Sequence, residues 1–245
     1  MQTSSWFERG HVALITGASK GFGRALAFAL AREGISLAID ARDAGPLERV
    51  ARELAELVPV VAVPGDVTDA AHVHQLLAAT ERRFGRLDLV VNNASSIGRS
   101  PMPPLASLSP ATLDRVFATN VFAPLHVIRH ALPLVQQHGG GTIVNISSDA
   151  AVNAYPGWGG YGASKAALEQ LSRILAAELE GSGVSVIVAD PGDMATDLHR
   201  AAVPEADVAA LADPVDVAPQ LLRALAAPRG AFLRVELQAA VAAIA

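Results

Sequence analysis

The residues best equipped for chemistry are a tyrosine and a lysine four positions apart, Tyr161-Gly162-Ala163-Ser164-Lys165, in a stretch that reads as the start of a helix. A spacing of i, i+4 puts the phenol and the ammonium on one helical face. A phenol with a pKa of about 10 is a poor acid-base catalyst near neutrality. A cation about 4 Å away, at an effective dielectric of about 20, favours the phenolate by roughly 4 kcal/mol, or about three pKa units. The expectation is a phenol brought toward neutrality, where general acid-base catalysis works best. Taken alone, the pair fits ordinary packing beside a solvated charge equally well. Thirteen residues upstream of the tyrosine, Asn145-Ile146-Ser147-Ser148 closes an apolar run. A hydroxyl there can donate to a developing alkoxide.

A second feature is Thr16-Gly17-Ala18-Ser19-Lys20-Gly21-Phe22-Gly23, lying between an apolar run and a helix-length segment. Its glycines permit a tight turn, close approach of the backbone to a pyrophosphate and an anion site at the helix N-terminus. The spacing G-x-x-x-G-x-G differs from the general dinucleotide fingerprint, and no G-x-x-x-x-G-K-[ST] is present, so a P-loop nucleotidase is not supported. Gly17 to Gly21 also satisfies G-x-S-x-G, and His138-Gly139-Gly140-Gly141 satisfies the oxyanion motif of serine hydrolases. Their order defeats that reading, because the oxyanion loop of that fold precedes the nucleophile elbow.

These groups need elements to hold them. Apolar, β-rich runs recur at 11–15, 35–40, 58–63, 87–91, 142–146, 184–189 and 231–237. Helix-length segments fall at 21–33, 46–57, 69–84, 109–137, 162–181 and 214–226. Ser109-Pro110 and Asp213-Pro214 carry start signals, a capping side chain followed by proline at the first helical position. The strands are continuously apolar rather than alternating, the pattern of strands covered on both faces. Alternating β and α segments with such strands predict an α/β fold, a Rossmann-type doubly wound parallel sheet in one domain spanning 1–245, with ligands at the carboxyl ends of the strands.

Glycine turn, hydroxyl and Tyr-Lys pair together resemble the short-chain dehydrogenase/reductase family, over the span from Thr16 to about Thr196. The resemblance implies a catalytic quartet of Asn120, Ser148, Tyr161 and Lys165. It implies cofactor contacts from Thr16, Gly17, Ser19, Lys20, Gly21, Phe22 and Gly23 in the turn, and from Asp66 and Val67 against the adenine. Asn93 and Ala94 resemble the family's NNAG, with Ser95 in place of its glycine, and Pro191, Gly192 and Thr196 resemble its nicotinamide-contacting segment. The implied mechanism is transfer of a hydride from NAD(P)H to a carbonyl carbon, or the reverse oxidation of an alcohol. Tyr161 supplies the proton, Ser148 polarises the oxygen, Lys165 lowers the Tyr161 pKa and holds the ribose, and Asn120 keeps a water in a proton relay. A non-catalytic dinucleotide-binding regulator is the alternative, against which the complete quartet argues. The run from Ala231 to Ala245 departs from the family's usual glycine-rich ending.

Composition narrows the partners. The chain has 19 Lys+Arg against 24 Asp+Glu and few aromatics, which argues against nucleic acid as partner. It has no cysteine, which removes disulfide frameworks, Cys-ligated zinc and thiol nucleophiles. The first ten residues are polar and no apolar run reaches membrane-spanning length, so the expectation is a cytoplasmic protein. His126 and His130 share a helix face, but without a carboxylate beside them no metal is assigned. The apolar segments at 116–135 and 166–179 point to a homo-oligomer, a dimer or a tetramer. The substrate is expected to be a small molecule, a medium-sized ketone with one polar handle. It would be lined by 96–108, by 149–160 with Asn153, Tyr155 and Trp158, and by 193–211 with Met194, Leu198 and His199.

The cofactor type turns on Ile39-Asp40-Ala41-Arg42, because NAD preference requires an acid at the end of the second strand and NADP preference a cation. By the family's spacing the acid position is Ala41, followed by Arg42, with Lys20 as a second cation. Strand alternation points Asp40 to the other side. The expectation is NADP(H), with NAD(H) held by Asp40 as the alternative.

Overall fold

The structure, a computed structural model, describes residues 10–227 and 230–238. The polar N-terminal segment, residues 228–229 and the end of the Ala231 to Ala245 tail lie outside the described residues.

The apolar runs become seven strands: β1 Val12–Ile15, β2 Ser36–Ala41, β3 Val60–Pro64, β4 Leu89–Asn92, β5 Gly141–Ile146, β6 Val184–Asp190 and β7 Phe232–Glu236. They pair in parallel throughout, in the order β3-β2-β1-β4-β5-β6-β7. The order reverses between β1 and β4, which opens a crevice at the carboxyl ends of those strands.

Helices α1 Gly21–Arg32, α2 Ala44–Ala55 and α8 Pro214–Ala226 cover one face. There Leu26, Leu30, Leu47, Leu54 and Leu221 pack against Ala13, Ile15, Leu37 and Ile39. Helices α3 Ala70–Phe84 and α5 Ala123–Gln136 cover the other. Val73, Leu76, Val127 and Leu134 meet Val12, Leu14 and Val90 there. Successive β1 side chains thus feed opposite cores, as the period of two requires. Each fully buried leucine contributes roughly 1.5 to 3 kcal/mol.

The start signals hold in the structure. Ser109 Oγ accepts the Thr112 amide at 3.2 Å at the head of α4 Pro110–Phe117, and Asp213 Oδ1 accepts the Val215 amide at 2.8 Å at the head of α8. The predicted continuous helix over 109–137 is corrected. A π-helical turn, Ala118–Phe122, separates α4 from α5 and carries Asn120. Helix α6 Gly159–Glu178 begins earlier than read, so Tyr161 lies in its first turn. A short helix, α7 Asp197–Ala202, was not anticipated. Among the described residues no helix is long and apolar enough to cross a membrane.

Candidate active site

The glycine turn closes the end of β1 against the end of β4. Gly17 has φ 68°, in the left-handed region, and a Cβ there would come within 2.9 Å of Ala94 Cα. A Cβ on Gly23 would lie 2.4 Å from Asn93 Nδ2 and 2.6 Å from the Gly17 carbonyl oxygen. The space these side chains would fill is used by a clamp. Asn93 Nδ2 donates to the carbonyls of Thr16 at 2.9 Å and Gly17 at 3.1 Å, while Thr16 Oγ1 accepts the amides of Asn93 at 3.0 Å and Ala94 at 3.1 Å.

Beside the turn a cavity of about 390 Å³ runs along the carboxyl edge of the sheet. Gly17, Ser19, Lys20, Gly21 and Phe22 line it from the turn, and Arg42, Asp66 and Val67 from the ends of β2 and β3. Asn93 and Ala94 contribute from β4, and Pro191, Gly192 and Thr196 from the segment after β6. Ser148, Tyr161 and Lys165 complete the wall. Thr16, Gly23 and Asn120 stand back from this wall. Each was placed in the site from the sequence, and none lines the cavity, because Thr16 is spent on the clamp, Gly23 packs against Asn93 and Asn120 is fully buried. Trp158, Met194, Leu198 and His199 line it as expected, whereas Asn153 and Tyr155 do not.

Tyr161 and Lys165 sit on one face of α6, with the Lys165 ammonium 5.6 Å from the centroid of the phenol ring. The expected phenol near neutrality is corrected. Burial pushes the Tyr161 phenol up to about 12, although Ser148 and Ser95 hydroxyls pull it back, and burial brings the Lys165 ammonium down to about 8. Lys165 Nζ donates to the Ile146 carbonyl at 2.8 Å, which anchors it at the end of β5. Ser148 Oγ donates to Asp149 Oδ1 at 3.1 Å and accepts the Ala150 amide at 3.2 Å. Its proton must leave Asp149 before it can serve a substrate oxygen.

Asn120 holds structure rather than an open valence. Its Oδ1 accepts the Ser96 amide at 2.8 Å and the Ser95 hydroxyl at 3.3 Å. Its Nδ2 donates to the Ser96 carbonyl and to Ser164 Oγ, both at 2.9 Å. Both donor and both acceptor positions of the amide are taken, so its side chain has none left for the expected relay water. Ser164 in turn donates to the Tyr161 carbonyl at 2.6 Å. The π-helical turn therefore braces the loop after β4 against the first turn of α6.

A short chain dehydrogenase family profile matches residues 11–207. That match settles the relationship. The chain belongs to the short-chain dehydrogenase family. It is 37% identical over 212 residues to a short-chain type dehydrogenase/reductase of Picea abies, covering 82% of this chain and 77% of that protein. A short chain dehydrogenase structure from Pseudomonas syringae superposes with a TM-score of 0.87 at 30% identity, over 94% of this chain and 95% of the other. One from Escherichia coli complexed with NADPH gives 0.85 at 27% identity, over 95% and 98%.

As a short-chain dehydrogenase the protein is an NAD(P)-dependent oxidoreductase, and its cavity suits a dinucleotide. The glycine turn offers backbone close to the cavity where any side chain would collide. Asp40 is turned inward, its Oδ1 accepting the Gly17 amide at 2.8 Å and its Oδ2 lying 3.0 Å from His72 Nε2. Arg42 is exposed at the mouth. Burial works against the charge on Asp66, but bonds from Thr68 and the nearby Arg42 outweigh it and hold the carboxyl below its ordinary range. The second cation, Lys20, lines the cavity. Lys20 Nζ pairs with Asp197 Oδ2 at 3.0 Å, tying the turn to the start of α7.

Sequence reasoning missed a buried charge ladder behind this dehydrogenase site. Ser147 Oγ donates to Glu169 at 2.7 Å, Arg234 from β7 donates to both Glu169 oxygens, and Arg234 reaches within 3.8 Å of Asp190. Burial raises the Asp190 carboxyl above its ordinary value. The contributing residues lie on four separate elements, and no local spacing announces them.

Proposed function

We propose that the protein is an NADPH-dependent carbonyl reductase, also able to run the reverse oxidation of a secondary alcohol, and that its described elements work as one dinucleotide-binding and catalytic domain. The observation that carries this is the meeting of Tyr161, Lys165 and Ser148 on one cavity with the glycine turn. NADPH supplies the hydride when bound. Tyr161 carries the proton: a phenol held up near 12 stays protonated at neutral pH, ready to donate to a carbonyl oxygen. Ser148 rotates from Asp149 to donate to the same oxygen. Lys165, one helical turn away, offsets the phenolate charge that develops as the proton leaves. Asn120 positions Ser96 and, through Ser164, the backbone of Tyr161.

The inward Asp40 supports NADP over NAD, since its two oxygens are already taken up by Gly17 and His72 while Arg42 is exposed. Among similar proteins, one from Arabidopsis thaliana, 32% identical over 77% of this chain and 74% of its own length, is named an NADPH-dependent aldehyde reductase-like protein. Phe122 at 53%, Leu125 at 44% and Ile174 at 46% exposure form apolar surface on α5, its preceding turn and α6, which supports a homo-oligomer.

The test is Tyr161→Phe assayed by NADPH oxidation across a panel of ketones and aldehydes. Turnover is expected to fall by about 1,000-fold or more while NADPH affinity stays within about twofold. A variant with near-parental kcat would show that the proton comes from elsewhere.

A further inference from the structure

Ser148 is held off its task by Asp149, whose Oδ1 accepts the serine hydroxyl at 3.1 Å. Asp149 is half-buried on the wall of the cavity that Tyr161 and Ser148 share, and its Oδ2 accepts the Tyr155 hydroxyl. Both partners are neutral. The other carboxylates at this end of the wall are each met by a basic side chain: Asp193 by His199 at 3.4 Å, Asp197 by Lys20 at 3.0 Å and Asp190 by Arg234 at 3.8 Å. Among the described residues no lysine, arginine or histidine pairs with Asp149. Lys165 is spent on the Ile146 carbonyl, and Arg42 lines the far end of the cavity after β2. Trp158 also lines the cavity, its ring centroid 5.9 Å from that of Tyr155 and 5.7 Å from that of Tyr161. An aromatic ring and a carboxylate without a counter-ion, on the wall that carries the reacting groups, suit a cation.

We propose that Asp149 sets the substrate class: the protein takes a carbonyl compound bearing a protonated amine on the second carbon from the carbonyl carbon, and the ammonium N–H replaces the Ser148 hydroxyl at Asp149 Oδ1. This rests on the carbonyl-reductase reading. A carbonyl oxygen that accepts from Ser148 lies about 2.8 Å from its Oγ, hence within about 6 Å of Asp149 Oδ1. A two-carbon arm places an ammonium inside that span.

The exchange of partners favours such a substrate twice. Asp149 gains a charge-assisted bond, and the Ser148 hydrogen is released to the carbonyl oxygen. A ketone without the amine must break the bond from Ser148 to Asp149 with nothing to replace it. The chemistry is otherwise that of the reductase: the hydride forms the new C–H bond, the Tyr161 O–H bond breaks as an O–H bond forms on the substrate, and the ammonium keeps all its protons. The product is an amino alcohol.

The experiment follows NADPH oxidation at neutral pH with 3-aminopropiophenone, 3-hydroxypropiophenone and butyrophenone, which carry an ammonium, a hydroxyl and a methyl at the same position. The parent chain is expected to favour the amine over the methyl compound by about 10- to 150-fold in kcat/KM, the worth of one charge-assisted hydrogen bond, with part of the gain in kcat. Asp149→Asn keeps a side chain that can bond Ser148 and Tyr155 but removes the charge, and should bring that ratio to within about twofold of one. A disturbance of Ser148, Tyr161 or the fold would scale all the ketones together and cancel in the ratio. Asp149→Ser gives the same readout should the Asn variant lose NADPH binding. A parent ratio near one, a ratio that survives both substitutions, a hydroxyl favoured as strongly as the ammonium, or reduction of other ketones but none of these overturns the ammonium assignment and leaves the reductase reading intact. A parent chain that reduces no ketone or aldehyde at all overturns that reading, and the role of Asp149 with it.

Discussion

The Asp40 carboxylate accepts the Gly17 amide at 2.8 Å, joining the end of β2 to the glycine turn across 23 residues, and its other oxygen meets His72 on α3. An acid at the end of β2 is the usual sign of a ribose ligand, yet this one braces the turn that the ribose would approach. Asp40→Ala would leave the Gly17 amide without its acceptor, a loss of about 1 to 3 kcal/mol. We expect NADPH and NADH affinities to fall together, with their ratio unchanged, as read by fluorescence titration of each cofactor. A selective loss of NADH binding would instead make Asp40 the ribose ligand.

Ala41 and Arg42 are expected to set that ratio. A charge-assisted contact from Arg42 to the 2′-phosphate contributes roughly 1.5 to 3 kcal/mol, about 10- to 150-fold in affinity. Ala41→Asp combined with Arg42→Ala should reverse the preference in kcat/KM from NADPH to NADH. Parent enzyme that already favours NADH would refute the assignment.

Lys165 is kept at the expense of stability. Its ammonium has an ordinary pKa of 10.5 and is brought down to about 8 by burial, so the folded state disfavours the charged form. Below about 8 both folded and unfolded chains carry the proton and the destabilisation is fully present; it fades as pH rises toward 10.5. Lys165→Met should therefore raise thermal stability near neutral pH, by about 1 to 3 kcal/mol after the lost bond to the Ile146 carbonyl is counted, while abolishing turnover. The gain should vanish in alkaline buffer. Melting curves at neutral and alkaline pH check this, and a gain that grows with pH would contradict it.

The exposed Phe122 and Ile174 mark where the proposed homo-oligomer is expected to form. Light scattering should show a parent mass at least twice that of one chain, and Phe122→Asp with Ile174→Asp should shift it to the single-chain value. A parent that is monomeric at micromolar concentration would remove this surface from the functional account.

The sequence by itself determined the seven strands and the main helices between them, though not α7 or the break at Ala118–Phe122, because continuous apolar runs, capping residues and helix-first prolines are local signals. It also determined that Tyr161 and Lys165 share a helix face, since an i, i+4 spacing is a property of the helix alone. Only the tertiary structure decided what surrounds them. The phenol is raised rather than lowered because burial, a sum over many distant atoms, outweighs the pull of the Ser148 and Ser95 hydroxyls. Lys20 is drawn to Asp197, and the amide of Asn120 is filled by Ser95, Ser96 and Ser164 from other elements, so neither can be read from its own stretch of chain. Asp40 lies between the two: strand alternation turned it away from the ribose position, but only the folded chain supplied Gly17 and His72 to meet it.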